Sequence, residues 1–205
     1  MNSTYFITGI GTDVGKTIVS AILVEALKAD YWKPIQAGEL DNSDSDNVRS
    51  LVSNSKTAYH KSAFELETPM SPHAAAMIDG VCIQVSNIKR PKTNNHLVIE
   101  GAGGLLVPLN DSETVLDLLK VSDKVIVVSR HYLGSINHTL LSVNMLKQRG
   151  LSVFGVVFSG AKHTTTEAII EKMAGVPILG RIDEEPYFDK NVVKEYASLL
   201  ELKLK

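Results

Sequence analysis

The 205-residue sequence holds a single cysteine, Cys82. No disulfide can therefore close within the chain, and a reducing compartment is expected. No basic block appears, and the formal net charge is only −2, which argues against nucleic acid or an anionic membrane surface as partner. No apolar stretch approaches the roughly 18 residues of a membrane span. The N-terminus lacks a basic segment followed by a long apolar run, so a cytoplasmic protein is expected. The six histidines show no zinc-ligand spacing, and the G-x-S-x-G nucleophile elbow is missing. Cys82 has no neighbouring helix start or histidine and reads as a small core residue. Repeats, linkers and low-complexity segments are also absent. With 44% hydrophobic and 21% charged residues, the composition fits one globular domain spanning residues 1–205.

What is present begins with Thr8-Gly9-Ile10-Gly11-Thr12-Asp13-Val14-Gly15-Lys16-Thr17. An apolar run, Tyr5-Phe6-Ile7, precedes it as a buried strand, and Ile18 to Ala29 follows as a helix apolar on nearly every face. Strand, glycine-rich turn, Gly-Lys-Thr and helix form the order of a phosphate-binding loop. Backbone N–H groups can turn inward around an anion there, and the helix N-terminus adds positive potential. Lys16 would reach the β- and γ-phosphates, and the Thr17 hydroxyl would ligate Mg²⁺. The spacing is a variant, because Ile10 stands five residues before Gly15 and the glycine falls one position earlier, at Gly9. Asp13 inside such a loop points to a cation or an amine nearby.

Further apolar runs read as strands at Tyr31–Ile35, Leu97–Ile99, Lys124–Ser129, Val153–Phe158 and Ile178–Ile182. Helices are expected at 47–52, from Pro72 after a Ser71 cap, at 115–120, at 135–149 with Ser135 as cap, from a Thr164–Glu167 capping box to Met173, and at 191–202. Residues 53–68 carry little pattern, and Gly101 to Gly104 reads as a loop. Unbroken apolar strands alternating with helices indicate an α/β fold, with a mostly parallel sheet covered by helices on both faces. Ligands in such sheets sit beyond the carboxyl ends of the strands.

At those ends Glu100 closes an apolar strand beside the phosphate loop, the place for a Mg²⁺-directed acid. Asp44 and Asp46 lie in the loop after the second strand, and either could be a second metal carboxylate. Lys33, between Trp32 and Pro34, could supply a second cation at a transferred phosphoryl group. His73 and His138 follow possible helix starts and are read as structural.

Five segments together, Gly9–Thr17, Trp32–Gly38 (WKPIQAG), Ser71-Pro72-His73, Glu100–Gly104 (EGAGG) and Leu133–His138 (LGSINH), resemble the dethiobiotin synthetase family. The resemblance spans residues 1 to about 140 in order, and its motifs are specific as a set. It implies a homodimeric P-loop enzyme acting on ATP, CO₂ and 7,8-diaminononanoate, with Mg²⁺ as cofactor. By position, the resemblance assigns Thr12, Asp13, Val14, Gly15, Lys16, Thr17 and Ile18 to the phosphate loop. Thr17, Asp46 and Glu100 become metal ligands, and Lys33 becomes the lysine that steadies carbamate and phosphate charge, with Lys16 and Thr12 beside it. Gly101, Ala102 and Gly103 fall near the diamine together with Thr12, Lys33 and Ala37. Gly103 also falls at the nucleotide. Gly134, Ser135, Ile136 and Asn137 correspond to a segment that receives the substrate carboxylate across the dimer. Ser159, Gly160, Ile182, Asp183 and Glu184 fall at the nucleotide base. Ala37 stands where the family often has Ser or Thr, and Ser159 where it often has an adenine-reading Asn.

Three other readings compete. A ParA/MinD-like ATPase would carry an extra lysine where Gly11 stands. A glutamine-dependent amidoligase would need a further domain with a nucleophilic cysteine. A non-catalytic nucleotide-binding module would release no phosphate with any substrate.

Overall fold

The computed structural model describes residues 2–204. Seven strands form one sheet in the order β4-β2-β6-β1-β7-β8-β9, and every pairing in it is parallel. They are β1 (Thr4–Gly9), β2 (Asp30–Trp32), β4 (Tyr59–His60), β6 (Leu97–Gly104), β7 (Lys124–Arg130), β8 (Ser152–Ser159) and β9 (Ile178–Ile182). Two further short strands, β3 (Ile35–Ala37) and β5 (Phe64–Leu66), pair with each other in a separate parallel ribbon. Among the described residues the six α-helices are α1 (Lys16–Leu27), α2 (Asp44–Leu51), α3 (Pro72–Ile78), α4 (Ser135–Gln148), α5 (Thr164–Ala174) and α6 (Lys190–Leu204).

Burial on both sheet faces follows from the alternation of side chains along each strand. In β7, Ile126 and Val128 join the core on the α1 and α6 side, while Val125 and Val127 join the core that holds α4 and α5 residues. Consecutive residues are therefore all apolar, which accounts for the unbroken β-branched run. The helix α1 is buried along most of its length against the sheet and α6. Its position is dictated by the loop before it, since β1 occupies the middle of the sheet between β6 and β7.

Five local expectations are corrected. Cys82 is not a core residue but lies exposed on the surface after α3. Gly101 to Gly104 is not a loop but the end of β6, held in register as far as the Gly9–Gly104 pair. Ser135 is the first residue inside α4 rather than its cap; Gly134, at φ 104, occupies the cap and Ser135 is buried. In α5 the cap is His163, whose N–H donates to the Glu167 carboxylate at 3.2 Å, so only the glutamate half of the expected box forms. Ser71 does precede Pro72 at the start of α3, but its hydroxyl makes no cap hydrogen bond and instead meets the His73 ring. Within 53–68, β4 and β5 are two and three residues long, too short for a periodic pattern to register.

Candidate active site

The phosphate loop turns between β1 and α1. Asp13 (φ 54) and Gly15 (φ 93) take left-handed backbone, a conformation that costs glycine nothing. A Cβ at Gly15 would also fall 2.8 Å from the Ser159 hydroxyl. Gly9 accounts for the displaced glycine spacing, because a Cβ there would lie 2.5 Å from Val14 Cγ2 and 2.8 Å from the Gly11 carbonyl. Its role is to let the loop fold back over the end of β1, with Val14 buried beneath it. The Lys16 ammonium is nearly buried and donates to the Gly11 carbonyl at 3.0 Å, across its own loop.

Four side chains converge beside Lys16 from four different elements. Thr17 Oγ1, on the first turn of α1, lies 3.0 Å from Asp44 Oδ1 and 2.9 Å from Glu100 Oε1. With one proton it can donate to only one of them at a time. Lys33 Nζ, just past β2, lies 2.5 Å from Asp44 Oδ2 and 3.1 Å from Glu100 Oε1, and donates to the Gly101 carbonyl at 3.3 Å. Glu100 is 1% exposed, and its other oxygen accepts from the Tyr31 hydroxyl at 2.9 Å. Buried charges persist only when they are paired in this way.

The electrostatics follow from burial and neighbours. Burial works against the Lys33 charge, but the carboxylates of Glu100 and Asp44 outweigh it and raise its pKa above the ordinary lysine value. Lys16 is displaced the other way, first by burial and then by the nearby Lys33 charge. Burial would raise the Asp44 pKa, yet Lys33 and the Thr17 hydroxyl hold it below the ordinary aspartate value. Burial first, then the Glu100 and Asp44 charges, push the Tyr31 hydroxyl well above the ordinary tyrosine value, so it is the donor.

A cleft of about 1070 Å³ opens over this cluster. Of the residues expected at the site, Thr12, Asp13, Gly15, Lys16, Thr17, Ile18, Lys33, Ala37, Glu100, Ala102, Gly103, Ser159, Gly160, Ile182, Asp183 and Glu184 line it. Gly101 contributes its carbonyl to Lys33 from just behind the wall.

Asp46, expected among the metal ligands, does not join the cluster; Asp44 stands there in its place. Asp46 is the third residue of α2, where its carboxylate accepts from the Ser43 N–H (3.2 Å) and hydroxyl (2.6 Å) in a capping box, with Arg49 3.4 Å away. Two residues along a helix differ by about 200° around its axis, so the two aspartates cannot face the same way. Gly134, Ser135, Ile136 and Asn137 do not line the cleft of their own chain. Leu133 beside them is fully exposed, as are much of Leu106 and Leu141.

Tyr31 and Arg130 belong to no motif, and Gln36, although inside the WKPIQAG segment, was assigned no role there. Gln36 accepts from the Asp44 N–H at 3.3 Å and so fixes the start of α2 against the cleft. Arg130, at the end of β7, donates to the Asp13 carbonyl (3.2 Å) and to Glu184 Oε1 (3.3 Å), joining the loop to the opposite wall. A polar residue at the carboxyl end of a central strand was the available signal for Arg130.

Among the described residues, no group of three or more His, Cys, Asp and Glu could hold a metal by itself. The convergent oxygens of Thr17, Asp44 and Glu100 nevertheless suit a hard cation that takes one or two carboxylates and completes its shell with phosphate oxygens and water.

Parallel sheet, phosphate loop and paired carboxylates at its mouth define a P-loop nucleotide-binding enzyme. A family model described as an AAA domain matches residues 3–192. An ATP-dependent dethiobiotin synthetase from Christiangramia forsetii is 65% identical over 96% of this chain and 95% of its own length. One from Cytophaga hutchinsonii is 51% identical over 94% of each. The chain therefore belongs to the ATP-dependent dethiobiotin synthetase family, whose enzymes form carbon–nitrogen bonds.

Among solved structures, the cell division ATPase MinD of Pyrococcus furiosus aligns over the whole of both chains with TM-score 0.65 at 16% identity. The septum site-determining protein MinD of Pyrococcus horikoshii, complexed with Mg-ADP, covers 99% of this chain and 95% of its own with TM-score 0.64 at 15% identity. At such identities the likeness is one of fold.

Proposed function

We propose that the whole chain acts as one synthetase domain that closes 7,8-diaminononanoate and CO₂ into dethiobiotin at the expense of ATP. One amine of the substrate takes up CO₂ as a carbamate. The carbamate oxygen attacks the γ-phosphorus of ATP in line and displaces ADP. The second amine then attacks the carbonyl carbon of the mixed carbamic-phosphoric anhydride, the ureido ring closes, and phosphate leaves.

The observation that carries this reading is Lys33, buried between Asp44 and Glu100 and beside Lys16 in one cleft. Phosphoryl transfer asks for positioning and positive charge more than for covalent catalysis. Lys16 and the loop N–H groups hold the β- and γ-phosphates. Lys33 steadies the anionic carbamate as it approaches a polyphosphate, a juxtaposition that repulsion otherwise opposes. Thr17, Asp44 and Glu100 would hold Mg²⁺, which when bound neutralises charge on the β- and γ-oxygens.

Thr12, Ala37 and the Gly101–Gly103 segment form the diamine end. Gly103 has φ 66, and a Cβ there would meet Val107 at 2.8 Å, so only glycine fits at this turn of the cleft wall. The substrate carboxylate is received by the first turn of α4 from a second copy of the chain. Free N–H groups at a helix start favour an anion, and Gly134 leaves room for it. That segment lies outside its own cleft, next to exposed Leu133, which supports a homodimer. No helix among the described residues is long and apolar enough to cross a membrane, which suits a cytoplasmic enzyme.

The test is phosphate release from Mg·ATP with bicarbonate and the diamine. Release should depend on both, and release indifferent to either one would overturn the proposal. The dimer is tested separately by sedimentation, where a fully active monomer would refute it.

A further inference from the structure

Glu100 has two carboxylate oxygens with different work. Oε1 meets Thr17 and Lys33, the groups that face the cleft. Oε2 is turned into the protein and meets the Tyr31 hydroxyl at 2.9 Å. Tyr31 stands on β2, the strand next to β6, in register with Val98. Val98 and Glu100 share one sheet face, and the two-residue offset is about 7 Å along the strand. A tyrosine ring spans that offset and delivers its hydroxyl to the carboxylate. The ring itself is fully buried and packs at a tilt against Tyr59, with centroids 6.3 Å apart. Tyr31 does not line the cleft.

We infer that Tyr31 is a positioning residue: its hydroxyl pins Glu100 Oε2 and thereby aims Oε1 at the cation held by Thr17 and Asp44. The inference rests on the reading of Glu100 as a metal-directed carboxylate. Its physical basis is that the terminal torsion of a glutamate is broad and weakly biased, so the carboxylate plane must be set by its partners. Oε1 has two donors that a bound cation and phosphate would rearrange, whereas Oε2 has a donor fixed by packing on all sides. Partners one shell out from a metal orient its ligands in this manner.

The test is Tyr31→Phe, which removes the hydroxyl and keeps the ring. Mn²⁺ binding to the enzyme–ADP complex, followed by electron paramagnetic resonance, should weaken about tenfold, the low end for loss of such a partner. The Mg²⁺ concentration for half-maximal turnover should rise by the same factor, with KM for the diamine unchanged. Tyr59→Phe, which alters the packing partner, should bind Mn²⁺ like the parent. Parent-like Mn²⁺ affinity in Tyr31→Phe, alongside weakened affinity in Glu100→Gln, would overturn the positioning role and leave the metal reading intact. Parent-like affinity in Glu100→Gln would overturn the metal reading and the inference with it.

Discussion

The two ends of the cleft are built differently. At the reacting end, Lys16, Lys33 and Glu100 are 7%, 5% and 1% exposed, and each ionised group touches at least one other polar group fixed by a helix or strand. At the opposite end, Arg130 and Glu184 are paired across 3.3 Å with 48% and 64% of their side chains exposed. Ser159 offers one hydroxyl, and Asp183 is committed on one side to Arg181. Charges buried and shared among partners hold their geometry, while an exposed pair is worth little and moves easily. Under the proposed function, the ordered end is where phosphorus is transferred and the loosely specified end is where the base would lie.

The largest expected effect comes from breaking the ordered end. Lys16→Ala should lower turnover by roughly 10²–10³, the scale for losing one preorganised donor at a developing charge. Circular dichroism should show the fold retained, and activity within a few-fold of the parent would refute the loop assignment. Lys33→Ala should reduce turnover comparably with a smaller effect on nucleotide affinity, measured by calorimetry. It should also lower the melting temperature, since two carboxylates would then face each other without their cation, a change that costs about 3 kcal/mol or more. A collapse of nucleotide affinity instead would make Lys33 a phosphate holder.

A sharper comparison sets two aspartates on one helix against each other. Asp44→Asn should raise the Mg²⁺ concentration needed for half-maximal activity about tenfold or more, as expected when a charged first-contact oxygen is lost. Asp46→Asn should leave that concentration unchanged. Mg²⁺ titrations of the two variants side by side decide it, and the reverse pattern would mean that α2 turns on its axis when substrates bind.

Next in size is base selectivity. Asn offers a donor and an acceptor to adenine, but Ser159 has only a hydroxyl that can serve either role. Discrimination against a wrong base comes from buried polar groups left unpaired, and the base end buries few. CTP and GTP should therefore support kcat/KM within roughly tenfold of ATP, about the worth of one weak hydrogen bond. A several-hundredfold preference for ATP would show that Arg130, Glu184 or backbone groups read the base after all. The smallest effect belongs to the cap. Ser43→Ala should cost about 1 kcal/mol of stability, seen in denaturant unfolding, with Mg²⁺ dependence unchanged.

What the sequence determined by itself is whatever depends on neighbours along the chain. Glycine spacing marked the phosphate loop, and apolar β-branched runs marked β1, β6, β7, β8 and β9. Glu100 was legible because it ends such a run before four small residues. The tertiary structure alone decided which side chains meet across elements. Asp44 and Asp46 have the same chemistry two residues apart, and only the phase of α2, set by the Ser43 capping box and by Gln36 against the Asp44 N–H, sends one to the cleft and keeps the other at the cap. Tyr31 looked like one more apolar strand residue until β2 lay beside β6 and brought its hydroxyl to Glu100. Short edge strands such as β4 and β5 escaped detection because two or three residues carry no period. Local pattern encodes the backbone each segment prefers, whereas a site is assembled from register and helix phase, which exist only once the segments have packed.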